Sequence, residues 1–463
     1  IKKMYVSGLK VGKTGLEQSF ENDLIGSNSV QRYEVNAYGK RINQVDYKKG
    51  LNGKTIQLTV DTEIQKLCNT LLSNMAGSIN VMDIYTGEII AMQSSPSFDP
   101  NLFLFGISQD DWQLIRNNPL KPLVNKSLSG LYSPGSTFKP MVALSALENG
   151  IITKNFKVNC TGKIQLYGQV YHCWKDKGHG VVSLKEAMKQ SCDTYFYEIA
   201  RKLGVDRLRE TAVKFGLGDK VLKETYENEK KGLVPDTKWK KNNLGNSWVL
   251  GETLITGIGQ GYVQTTPLQL CLMTAQLANG GFKIYPKITL EKNGKTANEI
   301  KLLMSQNASN SDNNLMQNGQ DFFGFFNYNQ YEKLFINSEN VKLIRDSMFA
   351  SVNEVRGTSY SSRIEDPKYQ FAGKTGTSQV KRITAMEREL DLKTEDIAYI
   401  NRDHALYIAF GPYKNPRYAL SIVIEHGGSG SSAAAPLAKK LFKLIIDRHD
   451  LREESKKKEI TNI

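Results

Sequence analysis

The sequence has 463 residues and a formal net charge of +14, with 40% hydrophobic and 23% charged residues. This composition is that of an ordered globular protein and excludes a mainly disordered or collagen-like chain. The length predicts two or three domains with a sizeable core. The positive charge favours an anionic neighbour such as a membrane surface, a cell-wall polymer or nucleic acid. The sequence has no helix-turn-helix, RNP or zinc-finger arrangement, which argues against nucleic acid.

The chain contains five cysteines, an odd number that is too small for a disulfide scaffold. No apolar run approaches the roughly 18 to 20 residues of a membrane span. The sequence opens at Ile1 without a signal-peptide pattern. We therefore expect that any membrane anchor precedes Ile1.

Taken in chain order, residues 1–50 are polar and predict part of a larger module, with one short helical pattern from Leu16 to Leu24. A packed domain is predicted over 51–450, and its first helix is capped by Asp61 or Thr62. Within it, residues 297–336 form an Asn/Gln/Ser-rich insertion. Residues 451–463 form a charged tail, which we expect to be a frayed, solvated helix.

Two strand-turn-strand patterns lie far apart in the chain, at Ile79–Gln93 and Ala405–Glu425. The segment between Ser136 and Leu277 is mostly helical in pattern. Strands near both ends with helices between them predict one antiparallel sheet built from distant segments, flanked by helices and joined to an all-helical subdomain. The predicted fold class is therefore α+β.

The first chemical signal is Ser136, with Lys139 three residues later. If a helix begins at Ser136, the two residues share a face and the lysine amine can reach the hydroxyl. A lysine whose pKa is lowered by burial or by nearby cations can act as the base that activates a serine. The spacing alone is weak evidence, since three other Ser-x-x-Lys matches occur in the chain.

Two further elements follow Ser136 in the chain. Ser191 and Asp193 lie within a helical pattern, and Lys374 precedes Thr375, Gly376 and Thr377 in a segment that is predicted to form an edge strand beside the site. Lysine and hydroxyl side chains suit recognition of a carboxylate, and glycine lets a substrate backbone approach. All three elements in this order make coincidence improbable and predict one catalytic site.

On these residues the chain resembles the class B penicillin-binding proteins, and more narrowly the elongation type, which are peptidoglycan D,D-transpeptidases. Similar stretches extend from about residue 11 to 445. They include the stretches around the first and third catalytic elements, Ser133–Pro140 and Gly373–Thr377. The others are Gly12–Glu17, Gly257–Tyr262 with Thr266-Pro267, and His426–Gly430. The second motif usually reads Ser-x-Asn. Its Asp193 here is typical of the elongation type, and the role of this carboxylate stays open.

The resemblance implies a serine β-lactamase/D,D-transpeptidase-like domain, with residues 1–50 as the remnant of an N-terminal pedestal, or dimerisation, domain. It implies an acyl-enzyme on Ser136, with Lys139 as general base and Ser191 as proton relay. Lys374, Thr375 and Thr377 would hold the substrate carboxylate, and the backbone N–H groups of Ser136 and Thr377 would form the oxyanion hole. The implied partners are peptidoglycan stem peptides, β-lactams, a SEDS-family glycan polymerase and MreC. The implied location is the bacterial inner membrane, with the catalytic domain in the periplasm.

A possible metal site lies beside the second motif. Three cysteines and one histidine are the ligand set of a closed structural zinc site, and four such residues fall within 33 positions: Cys160, Cys173, His179 and Cys192. Their spacing is unlike that of common zinc fingers, and His172 or Asp176 could replace one of them. A Cys160–Cys173 disulfide is the alternative. The resemblance favours zinc, because some elongation-type enzymes carry zinc here.

Two other functions compete with cross-linking. A hydrolase of the same fold, a β-lactamase or D,D-carboxypeptidase, would need a base for water, and the segment from Glu224 to Asn228 offers one only superficially. A non-catalytic β-lactam-binding scaffold would not need all three motifs. We therefore expect a transpeptidase that acts in lateral wall elongation, without a catalytic cofactor.

Overall fold

The computed structural model describes residues 10–222, 226, 228–290, 299–304, 332–335, 337–381 and 396–462. At its N-terminal end, two short helices, α1 (Gly15–Ser19) and α2 (Glu21–Leu24), take the place of the one predicted helix, and they meet at Phe20. The antiparallel hairpin of β1 (Val30–Val35) and β2 (Arg41–Lys48) follows. Neither strand of this hairpin contains a buried residue. The hairpin therefore has no core of its own.

The main helices and strands of the packed domain come after this hairpin. In order they are α3 (Thr62–Leu71), β3 (Gly77–Asp83), β4 (Ile89–Ser95), α4 (Gln109–Arg116), α5 (Lys126–Ser129), α6 (Lys139–Glu148), β5 (Lys157–Cys160), β6 (Lys163–Leu166), β7 (Gln169–His172), β8 (Gly180–Ser183), α7 (Leu184–Lys189), α8 (Asp193–Leu203), α9 (Val205–Lys214), α10 (Thr237–Leu244), α11 (Leu250–Gly257), α12 (Pro267–Ala278), α13 (Ser338–Asn353), β9 (Ala372–Ser378), β10 (His404–Gly411), β11 (Tyr418–Ile424), α14 (Ala435–Asp447) and α15 (His449–Asn462).

Five strands form one sheet in the order β4-β3-β11-β10-β9, and every neighbouring pair is antiparallel. The two hairpins from opposite ends of the chain are thus joined through β3 and β11. This confirms the predicted α+β class. Strand β9 lies at an edge of the sheet, as its sequence predicted, so one side of its backbone has no partner strand among the described residues.

Both faces of the sheet are buried because helices cover each of them. Helices α3 and α14 pack on one face and α12 on the other. Successive side chains of a strand point to opposite faces, and β10 divides its side chains accordingly. Leu406, Ile408 and Phe410 join the core under α12, whereas Ala405, Tyr407 and Ala409 join the core under α3 and α14.

The helical subdomain centres on α6, which is buried from Lys139 to Leu147 and packs against α8, α9 and α13. The prediction that this subdomain is all-helical is wrong in one respect. Residues 157–183 form two small antiparallel pairs, β5 with β8 and β6 with β7. Short strands with β-branched residues alternate there with glycines at positive φ, namely Gly162, Gly168, Gly178 and Gly180, and such glycines favour turns over helix.

The C-terminal tail is helical, as predicted, but its described side chains are not fully solvated. In α15, Glu453 lies 2.9 Å from Arg417 and Lys456 lies 2.6 Å from Glu88. The tail helix is therefore docked on the sheet domain. Most of the predicted 297–336 insertion, and Glu224 of the possible hydrolase segment, lie outside the described residues. No helix in the described ranges is both long enough and apolar enough to cross a membrane.

Candidate active site

Ser136 lies in a 3₁₀ turn, Gly135–Phe138, that leads directly into α6. The turn is pressed against β9. A Cβ atom on Gly135, which has φ of +53°, would lie 2.4 Å from the carbonyl oxygen of Thr377. Only glycine fits such an approach at positive φ. The half-buried Ser136 is thereby held next to the edge strand.

The Lys139 ammonium group is fully buried and makes three hydrogen bonds. It donates to the backbone oxygen of Ser191 at 3.0 Å, to Ser191 Oγ at 3.2 Å and to Asp193 Oδ1 at 2.7 Å. An ammonium group has three donors, and these acceptors use all of them. In the described part of the chain, Ser136 Oγ is therefore not a partner of Lys139, although the i, i+3 spacing predicted that the amine could reach it.

Ser191 lies between α7 and α8, where the predicted helical pattern is interrupted. Its φ of +56° is unusual for a residue with a side chain, and such conformations cost about 1–3 kcal/mol. This backbone places Ser191 Oγ between two ammonium groups, since Lys374 Nζ donates to it at 2.9 Å. The strained position therefore serves to bring the second motif between the first and the third.

Lys374, on β9, is fully buried and also donates to the backbone oxygen of Thr375 at 3.1 Å. Burial, together with the nearby charge of Lys139, holds the pKa of Lys374 well below its usual value, and Asp193 opposes this shift. Four residues predicted to be catalytic, Lys139, Ser191, Asp193 and Lys374, thus form one hydrogen-bonded cluster. Ser136 lies on the adjoining turn.

The rest of the third motif is shaped by close packing. A Cβ atom on Gly376 would lie 2.7 Å from Thr137 Cγ2, so a glycine lets β9 lie against the serine turn. The backbone oxygen of Thr377 accepts a hydrogen bond from Gln260 Nε2 at 2.9 Å. The Thr375 hydroxyl donates to Thr358 Oγ1 at 2.9 Å. All three predicted substrate-binding residues therefore lie on β9, the strand that is packed against the turn of Ser136.

Three contacts were not predicted as part of the site. The backbone N–H of Trp174 donates to Asp193 Oδ2 at 2.9 Å, Gln260 fixes the end of β9, and Thr358 contacts Thr375. The first is made by main chain, which the residue type at a position does not reveal. Gln260 lies within a stretch singled out by resemblance, but Thr358 lies in no recognisable pattern.

The four predicted metal ligands do come together. The sulfur atoms of Cys160, Cys173 and Cys192 and a ring nitrogen of His179 all lie within 4.8 Å of one another, and the three thiols are buried. His172 and Asp176, the possible replacements, are not members of this group. All five cysteines are free thiols, so the alternative Cys160–Cys173 disulfide is not found.

The spacing within this cluster fits a tetrahedral ion. His179 Nδ1 lies 3.5 Å from the sulfur of Cys160 and 3.5 Å from that of Cys173. Zinc–sulfur bonds of about 2.3 Å and zinc–nitrogen bonds of about 2.0 Å at tetrahedral angles would separate such ligands by roughly 3.5 Å. The thiol of Cys192 and the ring of His179 lower the pKa of Cys173. A thiolate is the form that binds metal.

Comparison with known proteins identifies the family. A family model described as the penicillin-binding protein transpeptidase domain matches residues 77–443, and one for the penicillin-binding protein dimerisation domain matches residues 1–58. The chain belongs to the penicillin-binding protein transpeptidase family. This confirms the predicted family and enzyme class. The exact division of the chain into domains stays a prediction.

Relatives within the penicillin-binding protein family are similar over almost the whole chain. The peptidoglycan D,D-transpeptidase MrdA of Salmonella typhimurium is 33% identical, over 96% of this chain and 67% of its own length. A Helicobacter pylori penicillin-binding protein (PBP2) solved in complex with MreC has a TM-score of 0.78 and 30% identity, over 95% of this chain and 72% of that one. A solved peptidoglycan synthase complex contains a chain with a TM-score of 0.74 and 28% identity, over 96% of this chain and 71% of that one. The chain thus spans about two thirds of the length of the curated relative.

Proposed function

We propose that this protein is a peptidoglycan D,D-transpeptidase that cross-links stem peptides through an acyl-enzyme on Ser136 during lateral wall elongation. The observation that carries the proposal is the placement of Ser191 Oγ between the buried ammonium groups of Lys139 and Lys374, 3.2 Å and 2.9 Å away. This cluster lies beside the serine turn and an edge strand along which an extended peptide can bind.

In the first half of the reaction, the Ser136 hydroxyl attacks the carbonyl carbon of the penultimate D-Ala. Lys139, in its neutral amine form, accepts the proton of the Ser136 hydroxyl, and Ser191 relays this proton to the amine of the departing terminal D-Ala. The carbon–nitrogen bond of the peptide is replaced by an ester. In the second half, an amine from a neighbouring stem peptide attacks this ester and releases Ser136.

Binding and charge stabilisation come from β9 and the serine turn. Lys374, Thr375 and Thr377 hold the terminal carboxylate of the stem peptide, and Gly376 leaves space for its backbone. By resemblance to the family, the backbone N–H groups of Ser136 and Thr377 form the oxyanion hole, whose donors stabilise the charge that develops on the attacked carbonyl oxygen. β-Lactams carry a similar carboxylate and a reactive amide, so they acylate Ser136 as well.

The Cys/His cluster is proposed to hold a structural zinc ion. Cys160, Cys173, His179 and Cys192 fill all four positions of a tetrahedral site, which leaves none open for chemistry. Cys192 separates Ser191 from Asp193, and Cys173 precedes Trp174, whose N–H holds Asp193 Oδ2. A metal at this cluster would therefore fix the second catalytic motif from two sides.

Partners and location are proposed by similarity. The relative from Helicobacter pylori was solved with MreC, and we propose the same partner for this chain, through the pedestal segment that residues 1–50 represent. A SEDS-family glycan polymerase is the second proposed partner, in keeping with the similarity to a chain of a peptidoglycan synthase complex. The proposed location is the inner membrane, with the catalytic domain in the periplasm.

Incubation with benzylpenicillin, followed by intact-mass measurement, tests this function. A stable adduct that is absent in Ser136→Ala is expected. Destroyed antibiotic without an adduct would instead indicate a hydrolase. Intact antibiotic without an adduct would indicate a non-catalytic scaffold, and both of these outcomes would contradict the proposal.

A further inference from the structure

The loop of residues 354–359, which follows α13, lies between the second and third catalytic motifs and contacts α7, next to the second, and β9, which carries the third. On one side it is tied to α7, which ends two residues before Ser191. The backbone N–H of Thr358 donates to the Lys189 oxygen at 3.2 Å. The Glu354 carboxylate lies 2.6 Å from Lys185 and 3.3 Å from Lys189. The position of Thr358 relative to α7 is therefore fixed.

The loop is also locally rigid. Gly357 has no room for a side chain, since a Cβ atom there would lie 2.3 Å from the backbone oxygen of Ser351. The N–H and hydroxyl groups of Ser359 both donate to this same oxygen, at 3.1 Å and 3.2 Å. These contacts bind the loop to the end of α13 on either side of Thr358.

On its other side, Thr358 reaches the catalytic strand through its hydroxyl group. Thr375 Oγ1 donates to Thr358 Oγ1 at 2.9 Å, and Ser351 Oγ lies 3.1 Å from the same atom. Three hydroxyl groups thus form a chain that begins at the fully buried Ser351 and ends at Thr375, next to Lys374. Between Ser351 and Thr358, either oxygen can be the donor.

The direction of this chain matters for binding an anion. A hydroxyl group has one proton to donate and two lone pairs to accept with. Thr375 donates its proton to Thr358 in this structure, whereas the carboxylate of a substrate would need that proton. The direction of the hydrogen bonds can reverse when the three hydroxyl groups rotate. Ser351 then donates to Thr358, Thr358 donates to Thr375, and Thr375 donates to the carboxylate. Hydrogen bonds in such a chain polarise and strengthen one another.

We propose that Thr358 is a positioning residue for carboxylate recognition: its hydroxyl orients the Thr375 hydroxyl and donates to it when a substrate carboxylate binds. This inference rests on the proposed transpeptidase function, because it assigns Thr375 to the carboxylate of a stem peptide or β-lactam. Thr358 itself need not contact the substrate. Its backbone anchor on α7 keeps the hydroxyl in register with both motifs.

The test compares acylation of Ser136 by benzylpenicillin and by its methyl ester, which lacks the charged carboxylate. Thr358→Val keeps the shape of the side chain and removes the hydroxyl. We expect this variant to lower the second-order rate constant for benzylpenicillin roughly 3- to 10-fold, the value of one hydrogen bond, and to leave the rate constant for the ester nearly unchanged. Thr375→Val should show the same selective loss, and Thr358→Ser should retain the wild-type preference.

Ser361→Ala is the matched control, since it removes an exposed hydroxyl three residues away and should change neither rate constant. Equal losses for both compounds in Thr358→Val would mean a purely structural role and would overturn the inference, as would no loss for either. A wild-type protein that is not acylated at Ser136 at all would refute the proposed function instead. Thermal unfolding of each variant separates these outcomes from misfolding, and Thr358→Ala, which also removes the hydroxyl, gives the same test if Thr358→Val does not fold.

Discussion

The Asp193 carboxylate pairs with the Lys139 ammonium group at 2.7 Å. The lysine side chain is fully buried and that of the aspartate is 12% exposed. The second carboxylate oxygen accepts the N–H of Trp174 at 2.9 Å. Asp193 therefore acts here as an acceptor and counter-ion, and it does not need the donor group of the asparagine that usually occupies this position. This settles how the carboxylate is accommodated, which the sequence left open.

The first prediction concerns this ion pair. Asp193→Asn removes the negative charge and leaves the buried Lys139 ammonium without a counter-ion. Removing one partner of a buried pair typically destabilises a protein strongly, so we expect the free energy of unfolding to fall by about 3 kcal/mol. Denaturant unfolding at neutral pH measures this change.

Asp176→Asn is the matched control, because it makes the same change of charge at an exposed position of the neighbouring loop. It should alter the free energy of unfolding by less than about 0.5 kcal/mol. If both variants lose the same stability, the Lys139–Asp193 pair is not the source of the effect.

Much of the sheet and of the site could be predicted from the sequence because the signals are local. Strand-forming runs on either side of turn residues predict β3, β4, β10 and β11, and the glycine and hydroxyl residues around Lys374 predict an edge strand. The spacing of Ser136 and Lys139 predicts a direct contact between their side chains. The structure differs because acceptors from a distant segment, Ser191 and Asp193, use the three donors of the lysine. Contacts of this kind depend on tertiary packing and leave no trace in spacing.

The C-terminal tail and the small strand pairs of the helical subdomain also depend on tertiary packing that the sequence pattern does not reveal. Charged residues at 451–456 have the composition of a solvated helix, yet their partners on the sheet domain are fixed only when the chain folds. Residues 157–183 are short segments whose apolar pattern is too brief to separate strand from helix. The cysteine cluster, in contrast, was visible because so few cysteines occur in the whole chain.

The second prediction tests the metal site. Purified protein should contain about one zinc ion per chain, as expected for a closed four-ligand site. Cys192→Ser should lose most of this zinc and unfold at a lower temperature. Metal analysis and thermal unfolding, each with and without a chelator, provide the measurements.

The control for this experiment is Cys68→Ser, which changes a buried thiol outside the cluster. This variant should keep its zinc even if it loses some stability. Wild-type protein that carries no metal, and whose unfolding is insensitive to chelator, would rule the site out. A disulfide in its place would appear as a loss of free thiols.

The third prediction follows from the lowered pKa of Lys374, which burial and Lys139 cause. Between this pKa and that of an ordinary lysine, about 10.4, the unfolded chain binds a proton that the folded protein does not. The free energy of unfolding therefore rises with pH across that window. Below the window, Lys374 is charged in both states, and the cost of burying its charge is fully present.

Lys374→Met keeps the length of the side chain and removes the charge. We expect this variant to be inactive towards benzylpenicillin but more resistant to heat than the wild type at pH 6, by an amount that shrinks as the pH approaches 10. Thermal unfolding of both proteins at pH 6, 8 and 10 measures the trend. A difference that stays constant with pH would show that buried charge is not responsible.

The fourth prediction concerns the docked tail. The Lys456–Glu88 pair joins α15 to the sheet domain at 2.6 Å, with side chains 10% and 9% exposed. Glu88→Gln and Lys456→Met each leave one buried group without its partner, so each should lower the free energy of unfolding by about 2 kcal/mol or more. The double variant leaves no unpaired charge. It should therefore lose less stability than the sum of the two single losses, with a coupling energy in the range of about 0.5–3 kcal/mol.

Glu454→Gln, on an exposed face of the same helix, serves as the control, and its stability should match the wild type. Strictly additive losses, or single variants as stable as this control, would mean that the tail is solvated in solution, as its composition alone predicted.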